Sequence, residues 1–534
     1  MKKKLLSIIS IVLCLSLLSG CNLLQLLIRK ALPMTASFSD MTYTRPSLGE
    51  MEKAANNCIS LAKTGNDLDA LVTDINNYSM ELSDFMTNYA LAYIHYSLDS
   101  SSEYWKEEYN YCLDLTTQAE SMRDKLMRAL AKSPLREDLE SDELFGPGAF
   151  DSYDGESIWT DAFTALMDRE SELQAQYYDQ LAQNDVDAME QTFVEMIRLR
   201  QQIAQEAGYA DYPSFAYDFY FQRDYTPQQI LSYTEKIKQT LSPLYEQMIY
   251  DTSWYDSMYL VSSQDTFSYV EQTATAMGGS IDQAFRTMEQ RQLYHIAPGE
   301  NKLQASFEVY LPNYMAPYVF VNPTGTNQDY LSFAHEFGHF CNDYVTNGGK
   351  AGIDVAEVFS QAMEYLSLIY GPQDADCDLI KMYTSLSVYV EQSAYASFEL
   401  QVYQLTGDEL NVDNVRQLFQ QTCADFGMPE LLLAQYSYTS IVHFFISPMY
   451  VISYVVSNDT AMQIYQMELT QSGAGLDCYV ENLSRVQPKF LQFLKEAGLD
   501  SPFRPGRLEE VRQTLTESLT YQKSGAIAPL FACG

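Results

Sequence analysis

A chain of 534 residues with 71 Asp and Glu against 33 Lys and Arg carries a formal charge of −38, which excludes general affinity for nucleic acid and disfavours adhesion to anionic lipid heads. Its nine cysteines are scattered without CxxC spacing, which argues against a disulfide framework. The length suffices to bury a large core.

In chain order, Met1-Lys2-Lys3-Lys4 and the apolar run up to Leu18 read as a secretory leader. Leu18-Ser19-Gly20-Cys21 resembles a bacterial lipobox, in which Cys21 becomes the lipidated first residue. Residues 1–20 are therefore expected to be a lipoprotein signal peptide and residues 21–48 a tether. The bulk of the protein would lie outside the cytoplasm, touching the membrane only through its N-terminal lipid. No other stretch is long and apolar enough to span a bilayer. Residues 82–98 and 111–130 repeat apolar side chains at helical spacing. Gly146-Pro147-Gly148 interrupts that pattern, and long helical runs are predicted over 158–207 and 227–250. Alternation of Phe307, Val309 and Leu311, then Tyr318 and Phe320, predicts a small hairpin within 302–322. The rest is helical to about residue 521. The pattern gives a mainly α chain of two helical lobes, with an N-terminal helical region at 49–190 and a second region at 191–525.

The chemistry centres on His335-Glu336-Phe337-Gly338-His339, in a chain with only five histidines. On a helix, His335 and His339 project from one face and can grip a Zn²⁺, with Glu336 close enough to reach a water beside it. Leu331, Phe333, Ala334, Phe337, Phe340 and Val345 make this helix apolar on most sides. Buried histidines and a buried glutamate need partners, and a metal supplies them. The helix should end near Thr346-Asn347-Gly348-Gly349, and a second should start at Asp354. Glu357 and Glu364 then share one face of that second helix. Asp354 and Glu357 also have capping-box spacing, so Glu357 could merely bond the helix start. Beside a zinc motif the third-ligand reading is preferred. Glu364 would bond a ligating histidine from behind, unless it is a plain surface residue.

The segment from Ala316 through Asn322-Pro323-Thr324-Gly325 into the HEFGH motif resembles the oligoendopeptidase F and Pz-peptidase branch of the thimet oligopeptidase family. So do Ala356-Glu357-Val358-Phe359-Ser360-Gln361-Ala362-Met363-Glu364-Tyr365 and the stretch from His443 to Tyr454. The likeness covers roughly residues 190–525. It implies zinc ligands at His335, His339 and Glu357, a general base at Glu336, and transition-state stabilisers at His443, Tyr450 and Tyr454. It also implies two lobes around a deep channel, with a small sheet beside the zinc helix whose edge strand, within 318–322, holds the substrate backbone. Two departures stand out: a shorter turn between His339 and Glu357, and Asn342 where many relatives carry another histidine. The expected partners are short unfolded peptides, hydrolysed by a zinc-activated water with Glu336 moving the proton. A dipeptidyl carboxypeptidase of the angiotensin-converting-enzyme type is the rival among enzymes. A peptide-binding lipoprotein is the rival outside them, though pure binding needs no base at Glu336.

Overall fold

Side-chain caps set many of the helix starts. Asp67, Ser102, Thr160 and Asp185 each accept the N–H three residues on. The computed structural model describes residues 36–250, 257–349, 351–373, 375, 377–429 and 437–523, so the leader at 1–20 and Cys21 lie outside the described residues. Three helices come first: α1 (Gly49–Thr64), α2 (Leu68–Leu98) and α3 (Glu103–Ala131). The run expected over 158–207 is two helices, α4 (Asp161–Gln183) and α5 (Val186–Glu206), which pack on each other. Asn184 adopts φ 55° and Asp185 caps the next helix, so the chain reverses where apolar periodicity alone predicts continuity. Pro243 similarly divides the next run into α6 (Pro227–Thr240) and a short helix, Ser242–Ile249.

After α7 (Ser263–Met277) and α8 (Gly279–Gln290) the chain forms β1 (Tyr294–Ile296), β2 (Ser306–Leu311) and β3 (Ala316–Val321). The predicted hairpin is present, with Ser306 opposite Val321 and Leu311 opposite Ala316. The strand order β1-β3-β2 corrects one expectation. Residues 318–321 are in the central strand, with Val319 beside Tyr294 on one side and Glu308 on the other. Over Val319–Val321 β3 is paired on both sides, so a peptide cannot add there. The three-residue β1 was too short to be read from alternation.

From β3 the chain passes into α9 (Gln328–Thr346), and Asp329 fixes the angle. Its carboxylate accepts the N–H groups of Thr324, Gly325 and Thr326 at 2.8, 2.6 and 3.2 Å. Asn347, at φ 52°, ends α9 where predicted, and α10 (Ile353–Tyr370) folds back along it. There follow α11 (Asp378–Val402), the short α12 (Val442–Ile446), α13 (Ile452–Thr470) and α14 (Arg507–Lys523). The buried apolar residues form one cluster from Met41 to Leu519. The six described cysteines are buried thiols, consistent with the absence of a disulfide framework. Among the described residues, no helix is long and apolar enough to cross a membrane.

Gly338 is what lets α9 and α10 approach. A Cβ there would stand 2.6 Å from the Phe359 carbonyl and 2.6 Å from the Ser360 Cα. Backbone cannot yield as a side chain can, so Gly338→Ala should force the helices apart at a cost of about 1–3 kcal/mol. It should lower both the melting temperature and the affinity for zinc, measured by thermal melts and by competition with a chromogenic chelator. An unchanged zinc affinity would mean that the helix spacing does not set the site.

Candidate metal centre

The HEFGH turns of α9 face the second turn of α10, and three donors meet between them. His335 Nε2 is 3.4 Å and His339 Nε2 3.6 Å from the same Glu357 oxygen. All three donor atoms lie within 4.8 Å of one another. Ligands on a tetrahedral ion with bonds of about 2.0–2.2 Å stand about 3.3–3.6 Å apart, which is how far each histidine stands from Glu357. Two imidazoles with one carboxylate also suit zinc better than the oxygen-seeking magnesium or calcium. These residues fit the ion.

Electrostatics agree with a site built for a cation. Burial works against charge at His335, yet Glu357 and Glu364 outweigh it and hold its imidazolium well above the usual range. Burial likewise raises Glu357, but hydrogen bonds from His335 and His339 prevail and keep the carboxyl well below its ordinary value. The carboxylate charge is therefore retained where a cation would sit.

Supporting partners fix each donor. His335 Nδ1 is 2.8 Å from Glu364, whose other oxygen accepts from Lys381 at 2.9 Å. That pairing leaves Nε2 facing the donor cluster. Glu357 accepts from the Tyr450 hydroxyl at 2.7 Å and from Ser360 at 2.9 Å. It makes no cap at the start of α10: Asp354 instead bonds Arg223, and Gly352 is the N-cap. The third-ligand position is thus the one the geometry favours, and Glu364 is placed behind His335.

Glu336 is only 3% exposed, and among the described residues nothing hydrogen-bonds its carboxylate. Burial pushes that carboxyl up to about 7, against the pull of His335 and His339. Opposite lie His443, Tyr450 and Tyr454, with ring centroids 5.2–5.8 Å apart. Burial lowers His443 to about 3, so it is a neutral imidazole. The same burial holds both tyrosines well above their usual range, so both remain phenols able to donate. Tyr450 precedes α13 and Tyr454 is in its first turn, so the pair meets although only one is helical.

Comparison with known proteins bears on the fold. Residues 38–156 match the sequence profile described as the Peptidase M3 N-terminal domain. That match spans less than a quarter of the chain. No curated protein matches the sequence. Solved structures share this fold over nearly their whole length. A Pz peptidase A with a bound inhibitor has a TM-score of 0.80 at 16% identity, covering 90% of this chain and 99% of its own. An X-ray structure assigned as an oligoendopeptidase F gives 0.80 at 17% identity, covering 91% and 99%. A Bacillus anthracis protein assigned to the same type gives 0.78 at 18%, covering 92% and 99%. The chain is thus mainly helical with a three-stranded sheet and shares the fold of these structures.

Sequence patterns missed Lys381, Ser360, Arg223 and Asp354. A lone lysine within Leu379-Ile380-Lys381-Met382 was the available signal, since a lysine buried in an apolar run needs a carboxylate. Glu399 was missed too. It accepts the Met449 N–H at 2.7 Å, its other oxygen meets no donor, and burial pushes its carboxyl up to about 8. The unfolded chain releases this proton near about 4.3. Ionisation therefore disfavours the fold, and stability is lost as pH rises between those values. Glu399→Gln should match the parent in melting temperature at pH 5 and exceed it at pH 9. An equal difference at both pH values would show that Glu399 is ionised in the fold.

Proposed function

We propose that this chain is a zinc-dependent oligoendopeptidase that hydrolyses short, unfolded peptides outside the cytoplasm. The observation that carries the proposal is the convergence of His335, His339 and Glu357 beside a buried Glu336 whose carboxylate has no hydrogen-bond partner among the described residues. Zinc, when bound, supplies Lewis acidity that polarises a carbonyl and brings the pKa of a water to about 7. Glu336 takes the proton of the attacking water and delivers it to the leaving amine. Glu364, backed by Lys381, holds the His335 ring in one tautomer. Tyr450 donates its hydroxyl to Glu357 at 2.7 Å, whereas Tyr454 meets the Tyr450 hydroxyl and lies 3.5 Å from His443 Nε2, with no carboxylate taking its proton among the described residues. Tyr454 is therefore the better donor to the oxyanion, and Tyr450 orients the carboxylate. Tyr454→Phe should lower kcat by about 10²-fold with KM nearly unchanged, while Tyr450→Phe should also weaken zinc. Equal steady-state kinetics for Tyr454→Phe and the parent would leave the oxyanion to other donors.

The leader over residues 1–20 and Cys21 support an extracytoplasmic, lipid-anchored location. The channel between helical lobes that the resemblance implies would admit an extended segment, whereas a folded domain must first lose about 5–15 kcal/mol of stability to thread in. The test is digestion of a mixed peptide pool and of a folded protein, with and without chelator. Internal cleavage of the peptides alone, abolished by chelator and restored by zinc, is expected. A ladder of C-terminal dipeptides would indicate a carboxypeptidase instead, and binding without cleavage a transport lipoprotein.

A further inference from the structure

The proposed oxyanion donors lie on a segment that one buried guanidinium grips from several sides. Arg223 has a fully buried side chain, stacked with its guanidinium carbon 4.2 Å from the Phe221 ring centre and 4.5 Å from that of Tyr217. Its Nη1 donates to the Met449 carbonyl at 2.9 Å, and its Nη2 donates to Ser453 Oγ at 2.8 Å. Nε and Nη2 also reach the two oxygens of Asp354 at 3.3 Å each. These partners immediately precede Tyr450 and Tyr454, and Asp354 lies one turn before Glu357 on α10. One side chain thus ties the tyrosine-bearing segment to the helix that carries the proposed third ligand.

Met449 shows what the grip accomplishes. It sits at φ 70°, a conformation costly for a residue with a side chain. It persists because both of its backbone groups are held, the N–H by Glu399 and the carbonyl by Arg223. A buried ion pair is seldom the most stable way to fill a core, and apolar residues of similar volume often do better. A fork that meets two loop positions and a carboxylate instead fixes relative position.

We propose that Arg223 is a positioning residue for the reaction: through Met449, Ser453 and Asp354 it sets the Tyr450 and Tyr454 hydroxyls against Glu357. The inference rests on the peptidase site proposed above. The test compares Arg223→Lys, Ser453→Ala, Tyr454→Phe and the Arg223→Lys/Tyr454→Phe double variant in the full-length zinc-loaded protein. Arg507→Lys serves as comparator, since Arg507 forms an equally buried pair with Asp459, at 2.8 Å, that touches none of the site residues. Arg223→Lys should retain about one zinc per chain and a melting temperature near that of Arg507→Lys. Its kcat should fall about 10–100-fold with KM within about threefold, and Ser453→Ala should fall less far in the same sense. The double variant should be hardly slower than Tyr454→Phe, because both act on one hydroxyl. A second readout needs no turnover: affinity for a phosphinic peptide, which mimics the tetrahedral state, should fall with kcat by calorimetry, while affinity for a product peptide holds. Losses that multiply in the double variant, or full activity in Arg223→Lys beside a slow Tyr454→Phe, would overturn this inference and leave the peptidase site standing. An inactive parent, or a Tyr454→Phe equal to it, would overturn both.

Discussion

Glu336→Gln is expected to bind zinc and fold as the parent does, yet to cleave peptides about 10³–10⁴-fold more slowly. The carboxylate is 3% exposed with no hydrogen-bond partner among the described residues, so the amide fills the same space without breaking a contact. Burial already disfavours its charge, raising the carboxyl to about 7, so the neutral amide should leave the melting temperature equal or higher. What the amide cannot do is accept the proton of a water. A fall in kcat with zinc content, KM and melting temperature preserved would separate the base from the ligands. Turnover near the parent value would remove Glu336 from the mechanism.

The second large effect concerns the two glutamates of α10. Glu357→Ala removes the oxygen on which both imidazoles converge, and it takes the carboxylate acceptor from the Tyr450 hydroxyl. Glu364→Ala leaves the three donors in place, frees the far side of His335 and takes the carboxylate partner from the buried Lys381. Zinc affinity should therefore fall by about 10–100-fold in Glu364→Ala and well beyond that in Glu357→Ala. Competition titrations against a chromogenic chelator give both values. The reverse order would assign the third ligand to Glu364.

Much of this site was legible because its chemistry is local. A four-residue spacing on one helix, and glutamates seven apart on the next, place their side chains by helical geometry alone. Asn347 and Gly348 marked the turn between those helices, and the structure breaks there. The hairpin of β2 and β3 was visible in alternation, but its place in the sheet was not. Pairing of β1 with β3 joins residues far apart in sequence, and three residues carry no periodicity. The same limit hid the break at Asn184, where a local left-handed turn overrides an apolar pattern that runs through it. Arg223, Lys381 and Glu399 were hidden for a related reason. Each is defined by a partner on another element, and nothing in the flanking sequence names that partner.

The most direct test of the centre is metal analysis of the purified protein lacking residues 1–21, beside its His335→Ala/His339→Ala variant, by inductively coupled plasma mass spectrometry. About one zinc per chain in the parent and almost none in the variant is the predicted result. A double variant that kept its zinc would place the metal elsewhere and contradict the proposed site.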